Sequence, residues 1–215
     1  MKSASLWAEA GKVTTLMGRN GSGKTTLMRV AAGTLRPDFG VVSFFGQVTE
    51  HPRLARLARQ GLMFVPQNRL AMPHYLALDQ LQAVASRFGR THVDQAIEVA
   101  RLAPLLDRPV DTMSGGERAR LSLGLAFVRQ PRVLIADEPL VGLAPVEQEA
   151  LAELLRTLAA NGTAVVTSGH DARILLNASD VIIWSAAGTT HHLGSPSDAL
   201  GHEQFRREYL GPAFT

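Results

Sequence analysis

Several features that define other protein classes are missing from this sequence. It has no cysteine among its 215 residues, which excludes disulfides, cysteine-ligated zinc and thiol catalysis. No apolar stretch approaches the roughly 20 residues that cross a bilayer, and the chain does not start with the long apolar segment of a signal peptide. The formal net charge is only +3, and the basic residues are scattered, with Arg53, Arg56 and Arg59 the nearest to a cluster. We therefore expect a cytoplasmic chain with no membrane span of its own and no nucleic-acid partner.

Short apolar runs alternate with helical patterns, which is typical of an α/β fold with a mostly parallel sheet and flanking helices. The runs predicted to be buried core strands are residues 13–17, 41–45, 62–65, 133–136, 164–167 and 181–184. Such runs are absent between residues 68 and 113, where apolar residues recur at helical spacing and residues 91–94 resemble a capping box. The sequence predicts a single domain over residues 1–215, with an inserted helical lobe at about 68–113.

The segment GRNGSGKT, residues 18–25, follows an apolar strand and precedes an apolar helical stretch, which is the context of a phosphate-binding loop. Glycines let the backbone N–H groups point at phosphate oxygens, and the helix dipole favours an anion there. Lys24 is predicted to reach the β and γ phosphates, and the Thr25 hydroxyl to bind Mg²⁺. Taken alone, the pattern also fits an ordinary glycine-rich turn. The residues predicted to bind ATP here are Gly18, Asn20, Gly21, Ser22, Gly23, Lys24, Thr25 and Thr26.

Two acids, Asp137 and Glu138, directly follow the apolar run 133–136. Their carboxylates are expected at the carboxyl edge of the sheet, where open α/β folds bind their ligands. Asp137 is predicted to hold Mg²⁺ through its water shell, and Glu138 to polarise the attacking water. Without the phosphate-binding loop, two acids at the end of a strand would be interpreted as ordinary surface residues.

A second anion site is indicated by the segment SGGE, residues 114–117. Ser114 and Glu117 have the spacing of a capping box at a helix start. A capping box does not require two consecutive glycines, which weaken a helix but leave N–H groups bare at its positive end. One ATP seldom needs two γ-phosphate sites in the same chain. The sequence therefore predicts that Ser114, Gly115 and Gly116 contact a nucleotide held by another copy, in a head-to-tail dimer.

These motifs and their order resemble those of the ATP-binding cassette (ABC) ATPases over nearly the whole chain, and residues 113–117 resemble that family's signature loop. The resemblance implies that Gln67 contacts Mg²⁺ and the attacking water, and that His170 contacts the γ phosphate. It also implies the ABC-ATPase fold, ATP as substrate and Mg²⁺ as cofactor. The implied partners are a second copy or a paralogous ABC ATPase, and a transmembrane permease that holds the chain peripherally on the inner face of the cell membrane.

Two positions depart from the family pattern. Ala144 stands where many members have an aspartate that crosses the dimer. Family members usually also have a further N-terminal strand, which carries an aromatic residue that stacks on adenine. This chain begins too late to contain that strand. Trp7 is predicted to be a core aromatic rather than a replacement for the adenine-stacking residue. The sequence of residues 142–145 is similar to that of ATPases of branched-chain amino-acid importers. Residues 194–196 and 207–211 resemble those importers and also lipopolysaccharide-export ATPases.

The predicted function is ATP hydrolysis that drives substrate movement through a separate membrane subunit. One alternative is a non-transport ABC ATPase of DNA repair, chromosome organisation or translation, but the sequence has none of the coiled coils or long insertions usual in such proteins. Another is a module that uses ATP only to switch partners, against which Glu138 and His170 argue. The transported substance and the direction of transport lie with the partner.

Overall fold

The computed structural model describes residues 2–67, 71–89 and 92–211, and these form a six-stranded and a two-stranded sheet with flanking helices. The strands are β1 (Val13–Met17), β2 (Val42–Phe44), β3 (Gln47–Thr49), β4 (Leu62–Val65), β5 (Val133–Ala136), β6 (Ala164–Gly169), β7 (Val181–Ala186) and β8 (Thr189–Gly194). The helices are α1 (Lys24–Ala31), α2 (Leu54–Arg59), α3 (Ala77–Phe88), α4 (Val93–Val99), α5 (Gly115–Arg129), α6 (Pro145–Ala160), α7 (Ala172–Ala178), α8 (Pro196–Gly201) and α9 (Glu203–Phe205). Short 3₁₀ turns lie at Ala103–Leu105 and Val110–Thr112, and a π-helical turn at Arg206–Leu210.

The large sheet has the strand order β4-β5-β6-β1-β7-β8, with β8 antiparallel to β7 and the other pairs parallel. Every residue of β1 and β6 is buried, because helices cover both faces of a parallel sheet. Alternate residues serve the two faces: Val165 packs into one hydrophobic core and Val166 into the other. The predicted α/β class and the mostly parallel sheet are confirmed.

The prediction of a buried core strand at residues 41–45 is wrong. β2 pairs antiparallel with β3 in a separate sheet, and of this stretch only Phe44 is buried. Phe45 and Gly46 have φ of 48° and 78°, which gives a two-residue hairpin turn. The turn returns the chain before it reaches the large sheet, so the apolar run marks a hairpin rather than a core strand.

The prediction that Trp7 lies in the core is also wrong. Its side chain is 48% exposed and stacks on the ring of His192, with the centroids 3.5 Å apart and the planes at 4°. The segment around it forms no strand of the sheet. It runs beside β8, through a bridge between Ser3 and Thr189, so Trp7 covers an outer edge.

The helices α3 and α4 and the two 3₁₀ turns lie between β4 and β5 in sequence and pack against α5. Buried apolar residues of this region, including Leu81 of α3, Leu105 of the first 3₁₀ turn and Leu102 just before it, share a core with Leu121 of α5. The start of the predicted lobe at residues 68–70 and Thr91 of the predicted capping box lie outside the described residues. Within the described ranges, no helix has both the length and the hydrophobicity that crossing a bilayer requires.

Candidate active site

The carboxyl ends of four neighbouring parallel strands bring predicted catalytic residues to one edge of the large sheet. Gln67 comes after β4, Asp137 and Glu138 after β5, His170 after β6, and the loop 18–23 after β1. These strands are adjacent in that order and their last residues are paired in register. Residues more than 100 positions apart in the sequence therefore meet where an open α/β sheet binds its ligands.

Close backbone packing shapes the loop between β1 and α1. A Cβ atom on Gly18 would lie 2.3 Å from the carbonyl oxygen of Ser185 and 2.7 Å from Ser22 Oγ, so no other residue fits there without a shift. The Ser185 hydroxyl donates to the carbonyl of Ser22 at 3.0 Å and fixes the loop on β7. Gly23, the N-cap of α1, supplies no side-chain cap, so the first N–H groups of the helix remain available to an anion.

Lys24, the first residue of α1, is a buried cation, with only 4% of its surface exposed. Its Nζ donates to the carbonyls of Gly18 at 2.8 Å and Arg19 at 3.3 Å, and lies 3.7 Å from Glu138 Oε1. A buried lysine is stable only when its charge is paired. The geometry therefore holds one positive charge inside the loop, beside Glu138. The predicted nucleotide-binding residues Asn20, Thr25 and Thr26 are exposed.

A chain of hydrogen bonds connects the two acids to the neighbouring strand. The Thr25 hydroxyl donates to Asp137 Oδ1 at 3.3 Å, and the Ser168 hydroxyl donates to the same oxygen at 2.8 Å. Ser168 Oγ in turn accepts the Glu138 N–H at 3.0 Å. Glu138 has φ of 48°, a left-handed conformation that a glutamate rarely adopts and that the surrounding contacts must hold.

His170 is exposed beside a groove of about 770 Å³ that runs along the active-site edge. The groove is lined by the loop after Glu138, including Val141, and by Gln148, Arg173 and Tyr209. Burial raises the pKa of Tyr209 to about 12, an effect that the carboxylates of Asp171 and Glu138 reinforce and the N–H of Gly18 opposes. Gln67 is exposed as well, at the other side of the two acids.

The segment 114–116 stands apart from this assembly. Ser114 caps α5 as predicted: its Oγ accepts the Glu117 N–H at 3.2 Å, and Glu117 accepts the Ser114 N–H at 2.7 Å. The N–H groups of Gly115 and Gly116 donate to no group in the described part of the chain. Gly116 is buried under Glu147, whose carboxylate oxygen would lie 2.3 Å from a Cβ at that position, whereas Ser114 is exposed.

Glu117, which caps α5 together with Ser114, also stabilises the turn before that helix through Arg108. Arg108 pairs with Glu117 at 2.8 Å and donates to the carbonyl of Thr112 at 2.6 Å. The pKa of Glu117 is lowered, chiefly by the hydrogen bond from the Ser114 backbone and then by Arg108. The segment is thus held firmly, with two bare N–H groups at the positive end of a helix.

Comparison with known proteins identifies the family of this chain. A family model described as "ABC transporter" matches residues 1–141. The zinc import ATP-binding protein ZnuC of Halorhodospira halophila is 33% identical over 94% of this chain and 75% of its own length. The lipopolysaccharide export ATP-binding protein LptB of Acidithiobacillus ferridurans is 31% identical over 100% of this chain and 91% of its own.

The chain belongs to the ABC transporter family. Its fold agrees: the ATP-binding cassette MJ1267 of an ABC transporter, in its ADP conformation, superposes with a TM-score of 0.80 at 24% identity, over 94% of this chain and 89% of that one. The protein is accordingly an ATP-binding and ATP-hydrolysing subunit of an ABC transporter, as the sequence predicts. The resemblance to lipopolysaccharide-export ATPases is also confirmed.

The residues at the sheet edge fit ATP. The loop supplies bare N–H groups and a paired lysine, and Ser22 Oγ is buried there with no hydrogen-bond partner within the described residues. Thr25 and Asp137 offer the oxygen atoms that Mg²⁺ prefers. Over the described ranges, no three His, Cys, Asp or Glu side chains could hold a metal together.

Sequence reasoning missed two residues of this site, Ser168 and Tyr209. Ser168 had a visible signal, since Thr167 and Ser168 are hydroxyl residues that end an otherwise apolar run. Its two hydrogen bonds could not be foreseen, because they depend on the register between β5 and β6. Tyr209 is nearly 40 residues beyond His170 and reaches the site only through the path of the chain after β8.

Proposed function

We propose that two copies of this chain, or one copy and a paralogous ABC ATPase, bind two ATP molecules between them, head to tail. The observation that carries the proposal is the separation of two anion sites in one chain. The loop 18–26 is assembled with Asp137 and Glu138, whereas among the described residues the bare N–H groups of Gly115 and Gly116 donate no hydrogen bond to it. A second subunit would bring its Ser114–Gly116 segment to the phosphates held by Lys24.

In each composite site, Lys24 and the N–H groups of the loop bind the phosphates. Thr25, Asp137 and Gln67 would hold Mg²⁺, which when bound offsets charge on the β and γ phosphates. Glu138 polarises the attacking water. The ammonium of Lys24 pairs with the Glu138 carboxylate and keeps it beside the phosphate-binding loop. His170, from the neighbouring strand end, contacts the γ phosphate.

Hydrolysis and phosphate release remove the anion that both subunits share, and the dimer loosens. The helical lobe predicted at about residues 68–113, to which α3 and α4 belong, then passes this motion to a transmembrane permease. Relatives named as ATP-binding proteins of import and of export systems support this role. The chain would therefore work on the inner face of the cell membrane, attached through its permease.

The test combines a block in hydrolysis with a block in the second anion site. Glu138→Gln should bind ATP and form a dimer that does not turn over, seen by light scattering with and without MgATP. Adding Ser114→Arg should leave one ATP bound per chain but abolish the dimer, because the arginine obstructs the partner's nucleotide.

The matched control is Ser195→Arg in the same Glu138→Gln background. Ser195 caps α8 with the same hydrogen-bond pattern as Ser114, at the opposite edge of the sheet from the loop 18–23. The Ser195→Arg variant should lose a helix cap, as the Ser114→Arg variant does, and should still dimerise. Dimers that persist in the Ser114→Arg variant, or loss of ATP from its monomer, would refute the composite site.

A further inference from the structure

The π-helical turn Arg206–Leu210 carries Tyr209 to the active-site edge of the sheet. The phenol donates a hydrogen bond to the carbonyl of Gly169 at 3.4 Å. Gly169 is the last residue of β6, and His170 follows it directly. The hydroxyl of Tyr209 thus holds the peptide from which the proposed γ-phosphate contact projects.

The acceptor of the phenol lies beside the start of the phosphate-binding loop, because Gly169 of β6 is paired with Met17, the residue before Gly18. The backbone of Gly18 lowers the pKa of the phenol and the carboxylate of Glu138 raises it, while burial has the largest effect. The carbonyl of Gly18 is an acceptor for the ammonium of Lys24. With a pKa of about 12, the phenol is neutral at pH 7 and keeps the proton that it donates.

Tyr209 is held where it is by aromatic packing. Its ring stacks on Phe205, with centroids 5.3 Å apart, and Phe205 is fully buried against Trp184 of β7 at 5.7 Å. The Gly211 N–H closes the π-helical turn on the carbonyl of Arg206 at 2.9 Å. π-Helical turns are rare and frequently lie at functional sites, because the extra residue redirects a side chain.

We propose that Tyr209 is a positioning residue for ATP hydrolysis, whose hydroxyl fixes the Gly169–His170 peptide relative to the start of the phosphate-binding loop. This inference rests on the proposed role of His170. It assigns the segment after β8 to the catalytic site, although that segment contributes no group to the nucleotide itself. An alternative is that Tyr209 only fills the core, as Phe205 does.

The experiment compares Tyr209→Phe, which keeps the ring and removes only the hydroxyl, with Tyr75→Phe, at a side chain that is 57% exposed. Steady-state ATPase rates and urea unfolding are measured for both. Tyr209→Phe should lower kcat about tenfold or more, since small misplacements of catalytic groups have effects of that size, with KM for MgATP changed less than about twofold. Tyr75→Phe should match the wild type. A Tyr209→Phe variant that is less stable but has an unchanged kcat would show a packing role only.

A double-mutant cycle with His170→Ala separates this inference from the function on which it rests. If Tyr209 acts through His170, then Tyr209→Phe has no further effect on kcat in the His170→Ala background. An equal loss in both backgrounds would overturn the inference and leave the role of His170 intact. If His170→Ala alone turns over normally, the proposed role of His170 fails, and the inference fails with it.

Discussion

Replacing Ser168 with alanine tests whether the strained backbone of Glu138 is held by its neighbour. Ser168 is fully buried, and its hydroxyl accepts the Glu138 N–H and donates to Asp137. Without it, the partly buried N–H of Glu138 loses its acceptor, while Asp137 Oδ1 keeps the bond from Thr25. A buried polar group left unpaired costs about 1–3 kcal/mol. For a chain of this size that lowers the melting temperature by about 2–12 °C, at about 2–4 °C per kcal/mol.

In free energy, the effect of Ser168→Ala on catalysis should be as large as its effect on stability. Glu138 has φ of 48°, a conformation that costs about 1–3 kcal/mol and persists only while its surroundings impose it. In Ser168→Ala that strain can relax, which moves the carboxylate away from the water it polarises. A loss of about 1.4–2.8 kcal/mol of transition-state stabilisation lowers kcat about ten- to a hundredfold. Phosphate release at saturating MgATP measures kcat, and urea unfolding measures stability.

The control is Ser179→Ala, which removes another buried hydroxyl from the same domain. Ser179 bonds to Thr15 and to the carbonyl of Leu175, just before β7 begins and away from the catalytic edge. It should lose stability but keep the wild-type kcat. If Ser168→Ala behaves like this control, with lower stability and unchanged turnover, then the geometry of Glu138 does not depend on Ser168 and the reasoning is refuted.

Three further predictions follow from single contacts. Lys24→Ala should abolish ATP binding in calorimetry, because it removes the buried cation of the loop, whereas Lys12→Ala, at an exposed pair with Glu9, should bind normally. Gly116→Ala should displace the Glu147 carboxylate, which is the end of a flexible side chain, and should cost at most about 1 kcal/mol in urea unfolding, the size of the hydrogen bond that Glu147 accepts from the Ala144 N–H; in a Glu147→Ala background it should have no further cost. The folded-state pKa of Glu117 is lowered, so its contribution to stability is present above the unfolded pKa of about 4.3 and is lost as pH falls through the folded value. Unfolding at pH 7 and at acidic pH should therefore show a smaller pH dependence in Glu117→Gln than in the wild type; an equal dependence would contradict the assignment.

Much of the fold and of the site could be predicted because each relevant signal is local. The strand β5 and its two acids are contiguous in the sequence, and the carboxyl ends of parallel strands meet at one edge whatever the strand order. The strand at 41–45 could not be predicted correctly, since an apolar run does not show which sheet it joins. Which strand this run pairs with depends on the turn at Phe45 and Gly46, where a phenylalanine adopts a positive φ.

Trp7 shows a different limit of the sequence. A large aromatic in an apolar run is usually buried, but burial also requires a neighbouring helix or sheet with an uncovered apolar face. Here the segment lies beside β8, at the outer edge, and the partner of Trp7 is the ring of His192. Tyr209 is the reverse case: nothing nearby in the sequence connects it with Gly169, and only the packing of Phe205 on Trp184 brings it there.

The loop after Glu138 connects the acids at the end of β5 to the segment 114–116 of the same chain. Leu140 is buried, and the Val141 N–H bonds the carbonyl of Glu138 at 3.3 Å, so the start of this loop is anchored to the catalytic residue. Its far end packs on the segment 114–116: Leu143 lies against Gly115 and Glu147 against Gly116.

Ala144 lies between these contacts and has no side chain able to cap α6. Glu147 accepts the Ala144 N–H instead, at 3.2 Å, while its carboxylate rests on Gly116. Contacts within one chain therefore connect Glu138 to the segment 114–116 through this loop, with Glu147 touching both the start of α6 and Gly116.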